Sequence, residues 1–376
     1  MGFKMISLYE YATDWYLKKL QAAKRVLYAQ VHLTERCQYH CGHCYYAELG
    51  KKAIDMDFDA FRSRIKELTH LARSQGRFLR VDFTGGDPLL SPVLPDAVQE
   101  CEANGVVCGL KCNPDILACG DAQSLATVLN GCSSVSLSLD GTKAFHDSLR
   151  HRKGSSDLVV KALRKANELG LKTRVNMTIS RDNKDMIRDV FADLVKENVT
   201  VDAFTFARFW NGSFCDSMLS REDLVDCFDS CCSFYESYLS DPMSYGCYDG
   251  LRKPKVQLAF KEHLWLPYLE SKGLVDKGLI GYARRIADSL NCSALHQTVV
   301  IDPDNELFHC RKVSLAKVNN LTPGNLGGER FRSYVDSQYM CRSCVNEGIC
   351  FGCPAVDEIV EKSDSGNPCP FYSRLK

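Results

Sequence analysis

Two groups of cysteines carry spacings that suit metal chemistry. In the segment TERCQYHCGHCYY, Cys37, Cys41 and Cys44 stand at C-x3-C-x2-C. Three thiolates in one short loop can hold three corners of a [4Fe–4S] cube and leave the fourth iron without a protein ligand. Such an open iron can chelate the amino and carboxylate groups of a methionine moiety. A zinc knuckle completed by His40 and His43 would use the same segment, and reduced core thiols are a third reading. Further along come Cys292, Cys310, Cys341, Cys344, Cys350, Cys353 and Cys369. Cys341 to Cys353 read C-x2-C-x5-C-x2-C, a spacing that suits structural zinc as well as iron–sulfur.

The elements around the first group form a rhythm. Residues 26–34 read as a strand that runs straight into Cys37, after an amphipathic helix at 8–23. Strands are expected at 78–84, 106–111, 135–139, 172–179 and 201–207. Helices are expected near 57–75, 92–104, 121–130, 156–169 and 184–197. Short apolar strands alternating with helices indicate a parallel sheet covered by helices. Six such units suit a partial (β/α)6 barrel of the α/β class, and an open doubly wound sheet shares the alternation. From about 208 the rhythm breaks: residues 221–240 read as helical, and 255–290 as helix with loops. The tail from Cys292 is turn-rich with little apolar material, so it needs a metal or disulfides to hold together. The expected organisation is an N-terminal helix (1–25), a barrel core (26–208), a helical bridging region (209–290) and a small cysteine-rich C-terminal domain (291–376).

Bulk properties narrow the function classes. The 376 residues are 45% hydrophobic and 25% charged, with a formal net charge of zero. That balance argues against a nucleic-acid or acidic-membrane surface. The N-terminus lacks the apolar core of a signal peptide, and Ile6 breaks the myristoylation pattern. No apolar run approaches the roughly 18 residues of a bilayer span. The chain is therefore expected to be cytoplasmic, where twenty cysteines point to metal or redox work rather than disulfides.

The cysteine loop after a strand, with a ring residue (His43) before its last cysteine, resembles the signature of the radical S-adenosylmethionine superfamily. VDFTGGDPLL resembles that family's glycine-rich motif at the end of the second strand. Gly85 and Gly86 lack a Cβ and let backbone approach a ligand, and Pro88 stops the strand. The resemblance assigns Gly85, Gly86 and Asp87 to the methionine end of the cofactor, with Asp87 where the family usually carries glutamate. In LKCNPDILA only Asn113 matches the family's turn. In SLSLDGTKAFHDSLR, the residues Ser138, Asp140, Gly141, His146, Asp147 and Arg150 fit its fourth strand and following loop. The resemblance implies that Ser138 and Arg150 contact the ribose and carboxylate of S-adenosylmethionine, with Asn176 on the fifth strand a further contact. The plain alternatives are a turn at Asp140-Gly141 and a solvated charge at Arg150.

The C-terminal cysteines are similar to a SPASM domain, which holds auxiliary [4Fe–4S] clusters. Cys292 and Cys310 flank a segment in which TVVI and LFH read as paired strands around Pro303-Asp304-Asn305. Asn305 takes the usual glycine position, and asparagine tolerates the left-handed conformation. Gly324, Asn325 and Leu326 match a loop that follows the hairpin. By position, Cys341, Cys344, Cys350 and Cys369 would bind one cluster and Cys292, Cys310 and Cys353 another. No fourth cysteine is evident for the latter; His296 and Thr298 lie in that region. The remaining ten cysteines read as buried or incidental thiols.

The resemblance implies reductive cleavage of S-adenosylmethionine to a 5′-deoxyadenosyl radical, fed by a flavodoxin- or ferredoxin-type donor. The expected substrate is a ribosomally made peptide, oxidatively modified, most simply by a crosslink. No acid–base catalytic residue is singled out: Arg311 stands where related sulfatase maturases carry an acid. Only 36 residues precede Cys37, too few for a typical fused leader-binding domain, so a leader is expected to bind elsewhere or through a separate leader-binding protein. The alternative is oxidation or rearrangement of a small molecule such as an aminocyclitol, nucleoside or cofactor precursor. A zinc-binding interaction module is the non-enzymatic reading, and it leaves Gly85-Gly86 unexplained. No nucleic-acid or membrane partner is expected.

Overall fold

The structure, a computed structural model, describes residues 7–44, 54–209, 217–241, 244, 256–260, 265–275, 297–310 and 317–318. Six strands follow the order of the chain: β1 (Val26–Thr34), β2 (Phe78–Gly85), β3 (Val107–Lys111), β4 (Cys132–Ser138), β5 (Lys172–Ile179) and β6 (Ala203–Arg208). Each pairs in parallel with the next, so every connection crosses over. The result is an α/β fold with an open, parallel-dominated partial barrel, as the alternation predicts.

Alternation within each strand separates two environments. On β1, Leu27, Ala29, Val31 and Leu33 are fully buried on the face that packs against helices. The helix Phe58–Ser74 meets them with Phe61, Ile65 and Leu68. Asp57 caps that helix by accepting a hydrogen bond from the Ala60 amide at 2.9 Å, which satisfies one of its unpaired N–H groups. The other face of the sheet carries polar residues, among them Tyr28 and Gln30 of β1 and Arg80 and Asp82 of β2. Burying a large apolar side chain is worth about 1.5–3 kcal/mol, so the outward apolar set fixes the register and leaves the concave face free for chemistry.

Three features differ from the sequence reading. A seventh parallel strand, β7 (Gln257–Phe260), extends the sheet beside β6 within the stretch read as helical. Four residues are too few for periodicity to separate strand from helix. Short helices at Pro114–Cys119 and Lys143–Leu149 follow β3 and β4 unannounced. Finally, β8 (Thr298–Ile301) pairs in parallel with the free edge of β1, and β9 (Leu307–Phe308) and β10 (Lys317–Val318) continue the same sheet antiparallel. The expected hairpin is present between β8 and β9. Asn305 sits in its turn at φ +64°, the left-handed conformation its identity suggests.

The helix Arg221–Ser240 appears where expected, started by a reciprocal cap between Ser220 and Asp223. Among the described residues, no helix is long and apolar enough to cross a membrane.

Candidate functional site

The carboxyl-terminal ends of the parallel strands converge on the cysteine loop. Thr34 ends β1 three residues before Cys37, and the loop from Cys37 to Cys44 lies across the strand ends. Its root is fixed by β2. The Gly86 amide donates to the Thr34 carbonyl at 2.8 Å, and the Asp87 amide to the Arg36 carbonyl at 2.7 Å. The two glycines therefore also have a packing task that the sequence reading did not include. A Cβ on Gly86 would lie 2.1 Å from the Arg36 carbonyl oxygen, and one on Gly85, at φ +127°, 2.3 Å from that of Thr34. Both glycines are required so that β2 can press against the backbone that carries the cysteines. Asp87 is fully buried. Its carboxylate accepts from the Gln38 side chain at 2.7 Å and from the Leu89 amide at 3.2 Å. Burial nevertheless pushes its carboxyl up to about 6.

Three donors point at the sulfurs. The Tyr39 amide lies 3.4 Å and the Asn113 Nδ2 3.2 Å from Cys37 Sγ. Arg150 Nη1 lies 3.6 Å from Cys41 Sγ. Asn113 follows β3, so the single residue that matched its motif is the one placed against the loop. Burial raises the Cys41 thiol, and Arg150 opposes that rise and favours the thiolate. Cys37, Cys41 and Cys44 are all partly exposed at this surface.

Arg150 is held from behind. Its Nε and Nη2 lie 2.7 and 2.6 Å from Asp140 Oδ2, and the Thr178 amide donates to Asp140 Oδ1 at 3.0 Å. Asp140 is completely buried. Burial alone would raise its carboxyl, but Arg150 outweighs this and holds it far below the usual carboxylate range. The guanidinium predicted to meet a ligand carboxylate is thus already engaged by a carboxylate of the chain and by a cysteine of the loop. The Asp140 amide donates to His146 Nδ1 at 3.0 Å, which leaves the proton on Nε2, facing Ser155 Oγ at 3.1 Å. The Ser155 hydroxyl in turn lies 3.1 Å from the Tyr39 hydroxyl inside the cysteine loop. Asp147 takes a different part, accepting from the Gly154 and Ser156 amides at the start of the helix Ser155–Glu168.

Sequence reading missed the roles of Tyr39, Ser155 and Asp140. The usable signal was the pairing of a buried acid with an arginine ten residues later. Ser138 and Asn176 stand directly opposite each other in register on β4 and β5, half-buried on the concave face. The Asn176 side chain donates to Ser136 Oγ. His43 packs edge-on against Phe209 after β6, with ring centroids 6.3 Å apart. Burial lowers its pKa to about 4, so the ring is neutral near pH 7. Cys310 is partly exposed, just after β9. Cys292, Cys341, Cys344, Cys350, Cys353 and Cys369 lie outside the described residues.

Residues 31–194, which span β1 to the helix Ile187–Lys196, match the Radical SAM superfamily. This segment is a radical SAM domain. Fe-coproporphyrin III synthase of Methanosarcina barkeri is 28% identical over 176 residues, 44% of this chain and 40% of that protein. PqqA peptide cyclase of Gluconobacter oxydans is 26% identical over 162 residues, 43% of each. The chain thus spans about two fifths of the length of these curated relatives. They are a synthase and a cyclase, and the radical SAM domain is that of an enzyme. Among solved structures, SuiB of Streptococcus suis bound to S-adenosylmethionine superposes with a TM-score of 0.62 at 16% identity, covering 96% of this chain and 80% of that one. The structure named anSMEcpe with bound AdoMet gives 0.63 at 13%, covering 92% and 94%. At these identities the likeness shows the fold.

A radical SAM domain implies a [4Fe–4S] cluster and S-adenosylmethionine, and the loop suits the cluster. Amide, carboxamide and guanidinium N–H groups aimed at sulfur complement thiolates, the form in which cysteine binds iron. Among the described residues, no three His, Cys, Asp or Glu side chains gather tightly enough to hold one metal ion. A cube does not ask for that, because its ligands sit at separate corners.

Proposed function

We propose that this protein is a radical S-adenosylmethionine enzyme that oxidatively modifies a peptide. The observation that carries the reading is the loop of Cys37, Cys41 and Cys44 across the strand ends, with N–H donors from Tyr39, Asn113 and Arg150 turned to its sulfurs. When bound, the cluster and S-adenosylmethionine supply one-electron cleavage of a carbon–sulfur bond and a carbon radical that removes hydrogen from an unactivated position.

The residues of the chain have separable tasks. Cys37, Cys41 and Cys44 hold three irons. Gly85 and Gly86 lock the loop's root to β2, and Asp87 orients Gln38 beside Cys37. Asp140 braces Arg150 against Cys41. Ser138 and Asn176 offer hydroxyl and amide groups to the cofactor from the concave face. His43, neutral and packed edge-on against Phe209, shields the loop from water.

The C-terminal region from 291 is read as a SPASM domain. Its clusters would use Cys341, Cys344, Cys350 and Cys369, and Cys292, Cys310 and Cys353, to accept an electron from the oxidised substrate. The β8–β9 hairpin that leads into Cys310 supports that reading. A structure of SuiB bound to its precursor peptide SuiA superposes with a TM-score of 0.63, and this supports a peptide substrate. A small reduced iron–sulfur or flavin protein would donate the electron. The names of Fe-coproporphyrin III synthase and GTP 3′,8-cyclase favour a second reading, a small-molecule substrate.

The test is anaerobic reconstitution with measurement of iron and sulfide, followed by incubation with S-adenosylmethionine and dithionite. Release of 5′-deoxyadenosine, lost in Cys41→Ala, is the expected result. Zinc without inorganic sulfide, or an intact cluster without product, would overturn the proposal. Faster turnover with a peptide encoded beside the gene, against none with porphyrins or nucleotides, separates the two substrates.

A further inference from the structure

The concave face below the cofactor site carries more positive charge than the fold itself uses. Lys111, Ser136 and Arg174 are aligned in register across β3, β4 and β5. They lie one rung below Ser138 and Asn176, two residues earlier on the same strands, which is about 7 Å deeper into the barrel. Lys111 Nζ donates to the Tyr28 hydroxyl at 2.6 Å, and that hydroxyl donates to Asp82 Oδ2 at 2.6 Å. Arg80 Nη2 reaches Asp82 Oδ1 at 3.1 Å and Ser134 Oγ at 2.9 Å. Burial pushes the Asp82 carboxyl up, but Lys111, Arg80 and the Tyr28 hydroxyl, with a smaller part from Arg174, outweigh this and hold it at about 2, so it is ionised near neutral pH.

One carboxylate therefore faces three cations. Arg80 and Lys111 share Asp82. Arg174 is half-buried and makes no hydrogen bond or ion pair with the described residues. Barrel interiors are usually filled with branched apolar side chains, and a half-buried guanidinium without an anion is costly. A network that only plugged the barrel would balance its charges. Arg80 and Lys111 keep side-chain exposures of 21% and 24%, and Arg174 is half-buried, so the cations of this face retain access to solvent.

We infer that this row is an anion subsite, and that the substrate carries a carboxylate which Arg174 receives with its two-pronged N–H face while Lys111 and Ser136 contact it from the side. The inference rests on the proposed function for its assumption that the substrate enters the lumen beneath the cofactor. It adds a substrate class, a molecule with a carboxylate about one rung from the reacting carbon. The source is an acidic side chain of a peptide or a small organic acid.

The test uses the anaerobically reconstituted full chain and needs no turnover. Modification of Arg174 by phenylglyoxal is followed by peptide mass spectrometry in the presence of succinate, or of succinamide as its neutral counterpart. Succinate should slow the reaction at Arg174 and succinamide should not. Arg174→Gln should weaken succinate binding about tenfold or more, the scale of a charge-assisted bidentate pair. Arg174→Lys should recover part of it. Since protection is read on the unsubstituted chain, a variant that fails to fold leaves the test intact.

Blocked tripeptides with a central glutamate or glutamine distinguish the sources. Competition by the glutamate peptide alone marks a peptide carboxylate, and competition by succinate without either peptide marks a small acid. Equal protection by succinate and succinamide, or unchanged binding in Arg174→Gln, overturns the inference. If protection holds while 5′-deoxyadenosine is absent, the failure lies with the proposed function and not with the subsite.

Discussion

Replacing Asp140 with asparagine takes one acceptor oxygen from a buried carboxylate that serves three donors. Those donors are Arg150 Nε and Nη2 on one oxygen and the Thr178 amide on the other. An asparagine has one carbonyl oxygen, so whichever way its amide turns, its NH2 group faces at least one N–H. The Arg150 charge is left in a buried site with one thiol as its remaining partner. Removing one member of a buried ion pair costs about 3–5 kcal/mol. With a urea slope of about 3 kcal/mol/M at the upper end of the usual range, the unfolding midpoint should fall by about 1–2 M. The advantage of the carboxylate is complete above pH about 4 and shrinks as the unfolded chain protonates below that, because the folded carboxyl is held far lower. The assay is urea unfolding followed by circular dichroism at pH 7, on Asp140→Asn, Arg150→Met and the double variant. The double variant should regain much of the loss, since swapping both members for uncharged groups leaves no buried charge. A loss below about 0.5 kcal/mol for Asp140→Asn, or a double variant as unstable as the sum of the singles, would refute the brace.

Gly86→Ala should lose about 3 kcal/mol or more, or fail to fold, because its Cβ meets backbone atoms that cannot rotate away; thermal unfolding checks this. Phe83→Ala should lose about 3–5 kcal/mol in the same measurement, since the ring is fully buried against Phe61 at 5.9 Å. Asn113→Ala leaves the Tyr39 amide alone on Cys37 and should shift the cluster's midpoint to a more negative potential in an EPR-monitored titration. Asp302, beside the buried His32, has its carboxyl raised to about 7 by burial and by Asp304, Glu35 and Glu306. The fold therefore favours the protonated form: its contribution is full below pH about 4 and is lost as pH rises through about 7. Asp302→Asn should flatten that part of the stability–pH curve, and an unchanged curve would count against the assignment.

The strands, the cysteine loop and the hairpin around Asn305 were legible in the sequence because each is written locally. Period-two alternation marks β1, C-x3-C-x2-C marks the loop, and a left-handed asparagine marks the turn. Four apolar residues at β7 carry no such period, and the pairing of β8 with β1 joins residues some 270 apart in sequence, so neither could be read from its own neighbourhood. The same holds inside the site. The spacing named Gly85, Gly86 and Arg150, but tertiary packing decided what they touch. The glycines meet the backbone of Thr34 and Arg36, and Arg150 is turned by a buried Asp140 toward Cys41. Whether two cations on separate strands share one anion while a third stands beside them is likewise a matter of register across the sheet. Residue types and spacing settle which chemistry a chain can offer; only long-range contacts, by burying one group and leaving another unpaired, settle where it acts.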